Sequence, residues 1–460
     1  MKNFLQLNAA FLFSMCGIGY AEETRQTESS GSPLERYFMQ DYMLGDWAGL
    51  RSGLSDHGVD FEFYWAGTVP SNVSGGIQQG TAFQMGMLMA MDVDTEKAFG
   101  WGGGHLHTSA IWLDGDPFST KYVGDLNKSN LVDFPADFRL WQAWYEQQFW
   151  GGQLKVKAGL LSVDRDFVLP EFYSSLSSIN FLNQTFFFPT LAFNLYDIPG
   201  LPIGNHALPS TPYNSLGALI RWQPVDSFYL QAAVYDGNPD TSSSGTRVML
   251  QEKEGALMYY EAGLLWNKAS EHRGLPGSLK VGGFYHTDEF FDVQNTILSL
   301  FGLAPAPTSH SGNYGGYLLA EQMLYLENKG MEDPAQQGLT AFFRLTGAPS
   351  DRNLTQLSVD GGLVFKGLFP GRDYDTLGIA ASYLEISDDI QAAQRQVNST
   401  FGPVFFPAVS DYEGVIELTY KFQIAAWWTI APSLQYAIHP GGSTLIDDAW
   451  VLSILTTLRF

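Results

Sequence analysis

The chain has 460 residues, a formal charge of −23 at neutral pH, and 15% aromatic against only 16% charged residues. So acidic a balance excludes nucleic acid as a partner, because phosphate backbones are recognised by clustered Lys and Arg. After residue 21 no run approaches the roughly 18 apolar residues that a membrane-crossing helix needs, so a chain of this kind crosses a bilayer only as a closed barrel.

The first residues read as an address. Lys2 is followed by an apolar run from Phe4 through Ile18, then Gly19-Tyr20-Ala21, with small residues at −3 and −1 of a cleavage site. Residues 1–21 are therefore expected to be a signal peptide, removed on export. Cys16, the only cysteine, lies inside it. Without it the mature chain has no thiol, which excludes disulfides and Cys-based metal sites. Residues 22–58 read as a polar tail followed by a short amphipathic helix. Leu44, Trp47, Leu50 and Leu54 recur there at spacings of three and four.

From residue 59 to the end the period changes to two. Phe61, Phe63 and Trp65 oppose Asp60, Glu62 and Tyr64, while Phe83, Met85, Met87, Met89 and Met91 oppose Gln84, Gly86, Ala90 and Asp92. Leu154, Val156 and Ala158 oppose Lys155 and Lys157, and Ile416, Leu418, Tyr420 and Phe422 oppose Glu417, Thr419 and Lys421. One apolar and one wet face is the pattern of a barrel strand in lipid. Such segments start near residues 60, 83, 103, 138, 153, 213, 226, 256, 277, 313, 338, 355, 374, 411, 427 and 449, which makes sixteen strands.

Connection lengths alternate in step. Thr95–Gly102, Trp150–Gly152, Gln223–Val225, Lys268–Pro276, Glu327–Gln337, Gly367–Asp373 and Gln423–Ala426 are short. Asp114–Asp137, Leu161–Pro212, Asp288–Gly312 and Ser387–Ser410 are long, and Thr346–Leu354 is the exception. Bacterial barrels alternate short periplasmic turns with long outer loops, which a soluble sandwich has no reason to do. The expected fold is thus all-β, a transmembrane antiparallel β-barrel of about 16 strands with a short N-terminal helix. Pro432 removes a ladder hydrogen bond in its strand and predicts a bulge. In the terminal strand Trp450, Leu452, Ile454, Leu458 and Phe460 share the outward face.

Strand parity places Glu62, Asp92, Lys155, Lys157, Arg221, Glu261, Arg344, Asp360, Glu417 and Lys421 on the lumen side. The blander account for each is cross-strand pairing that keeps the wall rigid and wet. The connection Leu161–Pro212, rich in Phe, Asn, Pro and Ser, carries Asp164, Arg165 and Asp166 and is the candidate for a loop folded into the pore. Carboxylates, Arg and amides exchange hydrogen bonds with hydroxyl groups, and aromatic faces stack on sugar rings. Asp164 with Asp166 could imitate a glycosidase pair. His105, His107 and Ser109 could imitate a metal or hydrolase site, but no nucleophile motif surrounds Ser109, and a polar lumen stripe accounts for all three. No catalytic residue, metal or cofactor is assigned.

Several stretches resemble the OprB family of carbohydrate-selective porins. These are Leu44-Gly-Asp-Trp-Ala-Gly-Leu-Arg-Ser-Gly-Leu-Ser-Asp-His-Gly-Val59, Gly100-Trp-Gly-Gly-Gly-His-Leu-His107, and Gly152-Gln-Leu-Lys-Val-Lys-Ala-Gly159 with Asp164 to Phe167. The resemblance implies a sixteen-stranded outer-membrane barrel for passive, carbohydrate-preferring diffusion of small sugars such as glucose. The implied partners are small sugars, the lipid bilayer with its lipopolysaccharide, and the outer-membrane assembly machinery; nothing in the sequence sets an oligomeric state. A general, weakly selective porin is the nearest rival. A barrel-type hydrolase and a surface-binding protein are more distant ones.

Overall fold

Alternating apolar and polar residues leave each strand one face for lipid and one for the lumen, and the sequence supplies this alternation from Val59 to Arg459. In the computed structural model the described residues are 32–171, 180–188, 208–239, 244–246, 255–267, 274–327 and 337–460. The expected signal peptide falls outside them. The strands are β1 (Val59–Gly76), β2 (Gly80–Thr81), β3 (Gln84–Asp94), β4 (Gly104–Gly115), β5 (Asp137–Phe149), β6 (Leu154–Leu161), β7 (Ser215–Val225), β8 (Phe228–Asp236), β9 (Ala256–Trp266), β10 (Gly277–Phe291), β11 (Ser309–Leu326), β12 (Gly338–Gly347), β13 (Thr355–Lys366), β14 (Thr376–Ile386), β15 (Tyr412–Ala425), β16 (Trp428–Ile438) and β17 (Asp447–Arg459). β2 is a two-residue piece folded against β1. The other sixteen pair antiparallel with their chain neighbours, and β17 returns to β1, with Trp65 opposite Leu458 and Val69 opposite Ile454.

The barrel is closed, so no strand edge is exposed to lipid. Its outer surface carries two aromatic belts. Phe149, Trp150, Trp222 and Trp266 ring the short-turn rim, while Trp112, Phe138, Tyr314 and Trp450 ring the long-loop rim. Aromatic rings at both interfaces are the mark of a membrane barrel, and the short-turn rim is accordingly the periplasmic one.

Two expectations need correction. Pro432 causes no bulge: it stays in register with Ile454, and the ladder to β15 passes over Tyr420 and Lys421 before resuming. The missing N–H falls in that gap, and the register shift on this hairpin lies between Gln423 and Ala425, beside the turn. The helix expected from Leu44 to Leu54 is also shorter. Ala48 and Gly49 take φ of 59° and 90°, which breaks it, and only Leu50–Asp56 is α-helical. A further helix, Pro33–Met39, occupies the presumed polar tail, started by a capping box between Ser32 and Glu35.

This N-terminal segment lies against the seam where β1 meets β17. Arg51 donates to Phe61 O at 2.8 Å and to Phe460 O at 2.5 Å, with its guanidinium 3.7 Å over the Tyr42 ring and 4.2 Å from that of Trp47. Met43 N donates to Arg459 O at 2.8 Å. Burial raises the Tyr42 hydroxyl and lowers the Arg51 guanidinium from their ordinary ranges. At the opposite rim two helices that the strand reading does not include, Val293–Leu300 and Asp388–Phe401, pack together around Ile297, Ile390 and Val397.

Candidate functional site

The described parts of the connection from β6 to β7, residues 162–171, 180–188 and 208–214, meet inward-facing residues of the barrel wall. At its stem Asp164 accepts from the hydroxyls of Ser162 and Thr211 and from Thr211 N at 3.3 Å, which ties the two ends of the loop together. Arg165 lies flat between the rings of Trp141 (4.3 Å) and Phe187 (5.6 Å), within 4.0 Å of Asp164. Asp166 pairs with Lys157, whose ammonium stands 5.0 Å over Trp144. The three loop residues picked out by the sequence therefore cluster at the β5–β6 wall, together with Lys157.

Beyond them the loop crosses to the opposite strands, and wall residues meet its backbone one after another. Gln231 donates to Asp166 O at 2.6 Å. Glu261 receives Val168 N at 3.4 Å as well as the hydroxyls of Tyr229 (2.7 Å) and Tyr317 (2.9 Å). Lys280 donates to Leu169 O at 2.8 Å and pairs with Glu171 at 2.9 Å, and Glu171 N donates to Glu321. These contacts hold Val168 at φ 60°, a left-handed conformation that a β-branched residue rarely adopts.

Where the loop is next described, Phe181 seats on Gly378 of β14 and against Phe342. Glu417 accepts Leu182 N at 2.8 Å and Asn183 N at 3.0 Å, with Thr419 and Ser433 hydroxyls at 2.6 and 2.7 Å. Arg344 pairs with Asp360 at 2.8 Å and donates to Phe187 O at 3.1 Å and to Thr185 O. A carboxylate facing two backbone N–H groups and a guanidinium facing two carbonyls are complementary, charge-assisted anchors. Arg344, Asp360 and Glu417 are all at most 2% exposed, so they hold the loop and present little surface to a solute.

A second loop, between β4 and β5, meets the first inside the mouth. Gln184 N donates to Lys128 O at 2.9 Å, Asn183 Nδ2 to Asn127 O at 2.8 Å, and Gln435 to Ser129 O at 2.8 Å. Leu126 N and Asn127 N donate to Glu413. Buried beside them, Asp125 is pushed up to about 6, by desolvation first and then by Asp133. Burial lowers the Lys128 ammonium against the opposing pull of Asp133 and Asp125.

The remaining candidates lie toward the periplasmic rim. Glu62 pairs with Arg459 at 3.0 Å on the β1–β17 seam, away from the loop. Lys155 and Arg221 are cross-strand partners on β6 and β7 and keep partial exposure in the lumen. Asp92 Oδ1 meets His105 Nε2 at 2.9 Å and His107 Nδ1 at 2.8 Å, and His107 Nε2 meets Ser109 Oγ at 3.1 Å. That order resembles a hydrolase relay. However, Ser109 is 2% exposed, and Trp144 stacks over His107 at 4.9 Å, which leaves no face for an acyl group. Among the described residues, no group of three or more His, Cys, Asp or Glu is arranged to hold a metal.

The model of the carbohydrate-selective porin, OprB family, matches residues 82–460. The chain belongs to the OprB family. Porin B of Pseudomonas aeruginosa is 26% identical over 96% of this chain and 95% of its own. The high-pH structure of Pseudomonas putida OprB superposes with a TM-score of 0.78 at 24% identity, over 92% of this chain and 99% of that one. The low-pH structure of the same protein gives 0.56 at 19% identity over the same shares. This OprB-family chain is a carbohydrate-preferring porin of the outer membrane, and its family and fold are those of a channel rather than an enzyme.

Several inward residues that hold the loop are absent from the candidates: Tyr229, Gln231 and Tyr317 carry no charge to mark them, while Lys280 and Glu321 are charged and were passed over. Strand parity gives their direction, since each alternates with an outward apolar neighbour. What parity lacks is the loop backbone they meet.

Proposed function

We propose that the β6–β7 loop is the selectivity element of a passive channel for small neutral sugars such as glucose. The observation that carries this is the loop's backbone, bonded in turn to inward residues of β8, β9, β10, β12 and β15. In this reading Asp164, Arg165, Asp166, Lys157, Glu261, Arg344 and Glu417 set the loop's position and hence the bore. Lys155 and Arg221 meet the solute on its way to the periplasm, and Glu62 closes the seam. Hydroxyl-bearing solutes exchange water for the lumen's carboxylates, amides and guanidinia without net charge transfer. Export would follow cleavage after Ala21, with insertion by the outer-membrane assembly machinery beside lipopolysaccharide.

Liposome swelling tests the reading. Glucose should enter well ahead of a disaccharide, and an amino acid of similar size should lag behind glucose. Equal rates for all three would make the protein a general diffusion pore. Absence of both swelling and single-channel current would remove the channel reading altogether.

A further inference from the structure

The N-terminal segment crosses the periplasmic rim from its inner edge to its lipid side. At the inner edge the Tyr42 hydroxyl accepts from Arg459 at 3.0 Å, and Arg459 pairs with the inward Glu62. Further along, Trp47 lies 6.5 and 6.0 Å from the rings of Phe61 and Phe63, themselves stacked 6.3 Å apart. Phe61 and Phe63 alternate with the inward Glu62 and Tyr64, so they stand on the face of β1 that meets lipid. Trp47 is therefore outside the barrel, on the short-turn rim that also carries Phe149 and Trp150.

The short helix that follows, Leu50–Asp56, divides its faces accordingly. Arg51 turns to the barrel, bonded to Phe61 O and Phe460 O and buried. Ser52 and Asp56 share one edge, and Ser52 is held by both carboxylate oxygens of Asp46 at 2.8 and 2.7 Å. Leu50 and Leu54 share the opposite edge, and Leu50 is 57% exposed, as Leu44 before it is 60%. Gly58, just after the helix, accepts from Asp94 N at 2.8 Å at the β3–β4 turn, which exposes Phe99 and Trp101. The backbone bends sharply to reach this position. Trp47 and Ala48 hold φ of 49° and 59°, a left-handed conformation that residues with side chains rarely adopt. An apolar edge continuous with a lipid-facing wall, beside a satisfied polar edge, is the layout of a segment lying in a membrane interface.

We infer that Leu44, Trp47, Leu50 and Leu54 form a phospholipid-docking surface, seated in the periplasmic leaflet where headgroups meet acyl chains. The occupant is bilayer lipid, because the edge continues the lipid-facing side chains of β1 through Trp47. The apolar edge leaves water there, while Ser52 and Asp56 stay on the periplasmic side. Docked in this way, the segment keeps Arg51 over the joint of the first and last strands. The anchor does not depend on which solutes the channel passes.

The test uses the full mature barrel in liposomes, where single cysteines can be placed because the mature chain has no thiol of its own. Leu50→Cys and Leu44→Cys each carry a fluorophore. Leu452→Cys, on the outward face of β17, and Asp56→Cys, on the polar edge, serve for comparison. The quenchers are phospholipid brominated along its acyl chains and iodide in the buffer. Bromolipid should quench the L50C and L44C labels roughly twofold, as a depth of about 5–10 Å allows, and L452C at least as strongly. The D56C label should answer to iodide alone. If iodide quenches L50C and L44C as fully as D56C while bromolipid does nothing, the segment lies in the periplasm and the inference falls. If neither quencher reaches them, protein covers the edge and the partner is a second copy, which overturns it equally. Loss of bromolipid quenching at L452C as well would remove the bilayer itself, and the barrel reading with it.

Discussion

The ring of Phe181 rests on the α-carbon of Gly378, so closely that a β-carbon at that position would lie 2.8 Å from the ring's Cζ. A loop residue and a wall residue, far apart in sequence, are therefore matched in size. Gly378→Val should push Phe181 off the wall and cost about 1–3 kcal/mol, the usual range for overpacking. Displaced from the wall toward the axis, the loop should narrow the bore. Single-channel conductance and glucose entry should fall; unchanged conductance in a folded variant would count against a loop-set bore.

Glu417 answers two successive N–H groups of the loop. Glu417→Gln replaces one acceptor by a donor that faces Leu182 N or Asn183 N, leaving a buried donor unsatisfied at a cost of about 1–3 kcal/mol. The expected result is a lower Tm in detergent and noisier open-channel current. Because Glu417 holds the loop from the wall, the sugar preference should weaken even where the barrel itself stays folded. A quiet, selective E417Q channel would show that the other anchors suffice.

Desolvation raises the carboxyl of Asp125, buried in the outer loop near the Glu413 carboxylate that holds the same loop, above its ordinary range. A carboxyl raised on folding contributes stability that is whole below the unfolded value and is lost as pH rises through the folded one. Protection of this loop from protease should thus decline as pH rises above the ordinary carboxylate range. Asp125→Asn should flatten that decline and be the more resistant protein at pH 7. A profile of the same slope in D125N would refute the assignment.

Arg51 bridges the first and last barrel strands through Phe61 and Phe460. Arg51→Ala removes hydrogen bonds of the charged kind, worth about 1.5–3 kcal/mol each. The folded band on unheated denaturing gels should be lost at a lower temperature. Selectivity should be unaffected, because the seam is remote from the loop, and this separates R51A from G378V.

Most of the barrel was legible because period-two alternation is written residue by residue. Each expected strand start falls within four positions of the structure, and the parity of Glu417, Lys157 and Arg459 is local. The helix at Pro33 was missed: residues read as a polar tail contain Ser32-Pro-Leu-Glu35, a capping box with proline at the first turn, which charge and polarity alone do not reveal. Pro432 misled because a proline disturbs only the one ladder bond its nitrogen would make, and here that bond falls in a gap. The site was less legible. Asp164, Arg165 and Asp166 could be named from the loop's length and composition, but not that Asp164 would pin Thr211 or that Arg165 would lie on Trp141. Those contacts join residues with no shared periodicity, and only the pairing of β5, β6 and β7 with the loop's return between them brings them together.

The loop's anchors carry a consequence for how the molecule comes to exist. Gln231, Glu261, Lys280, Arg344 and Glu417 all follow the loop in the chain, and each grips it from a strand of a ring that has no gap. A finished ring would leave the loop to be threaded in afterwards through its mouth. The simpler order is that later strands wrap about a segment already lying in place, which then serves as a former for the wall around it. Lesions in the loop or its anchors should then slow the final joining of β17 to β1, far from where they lie.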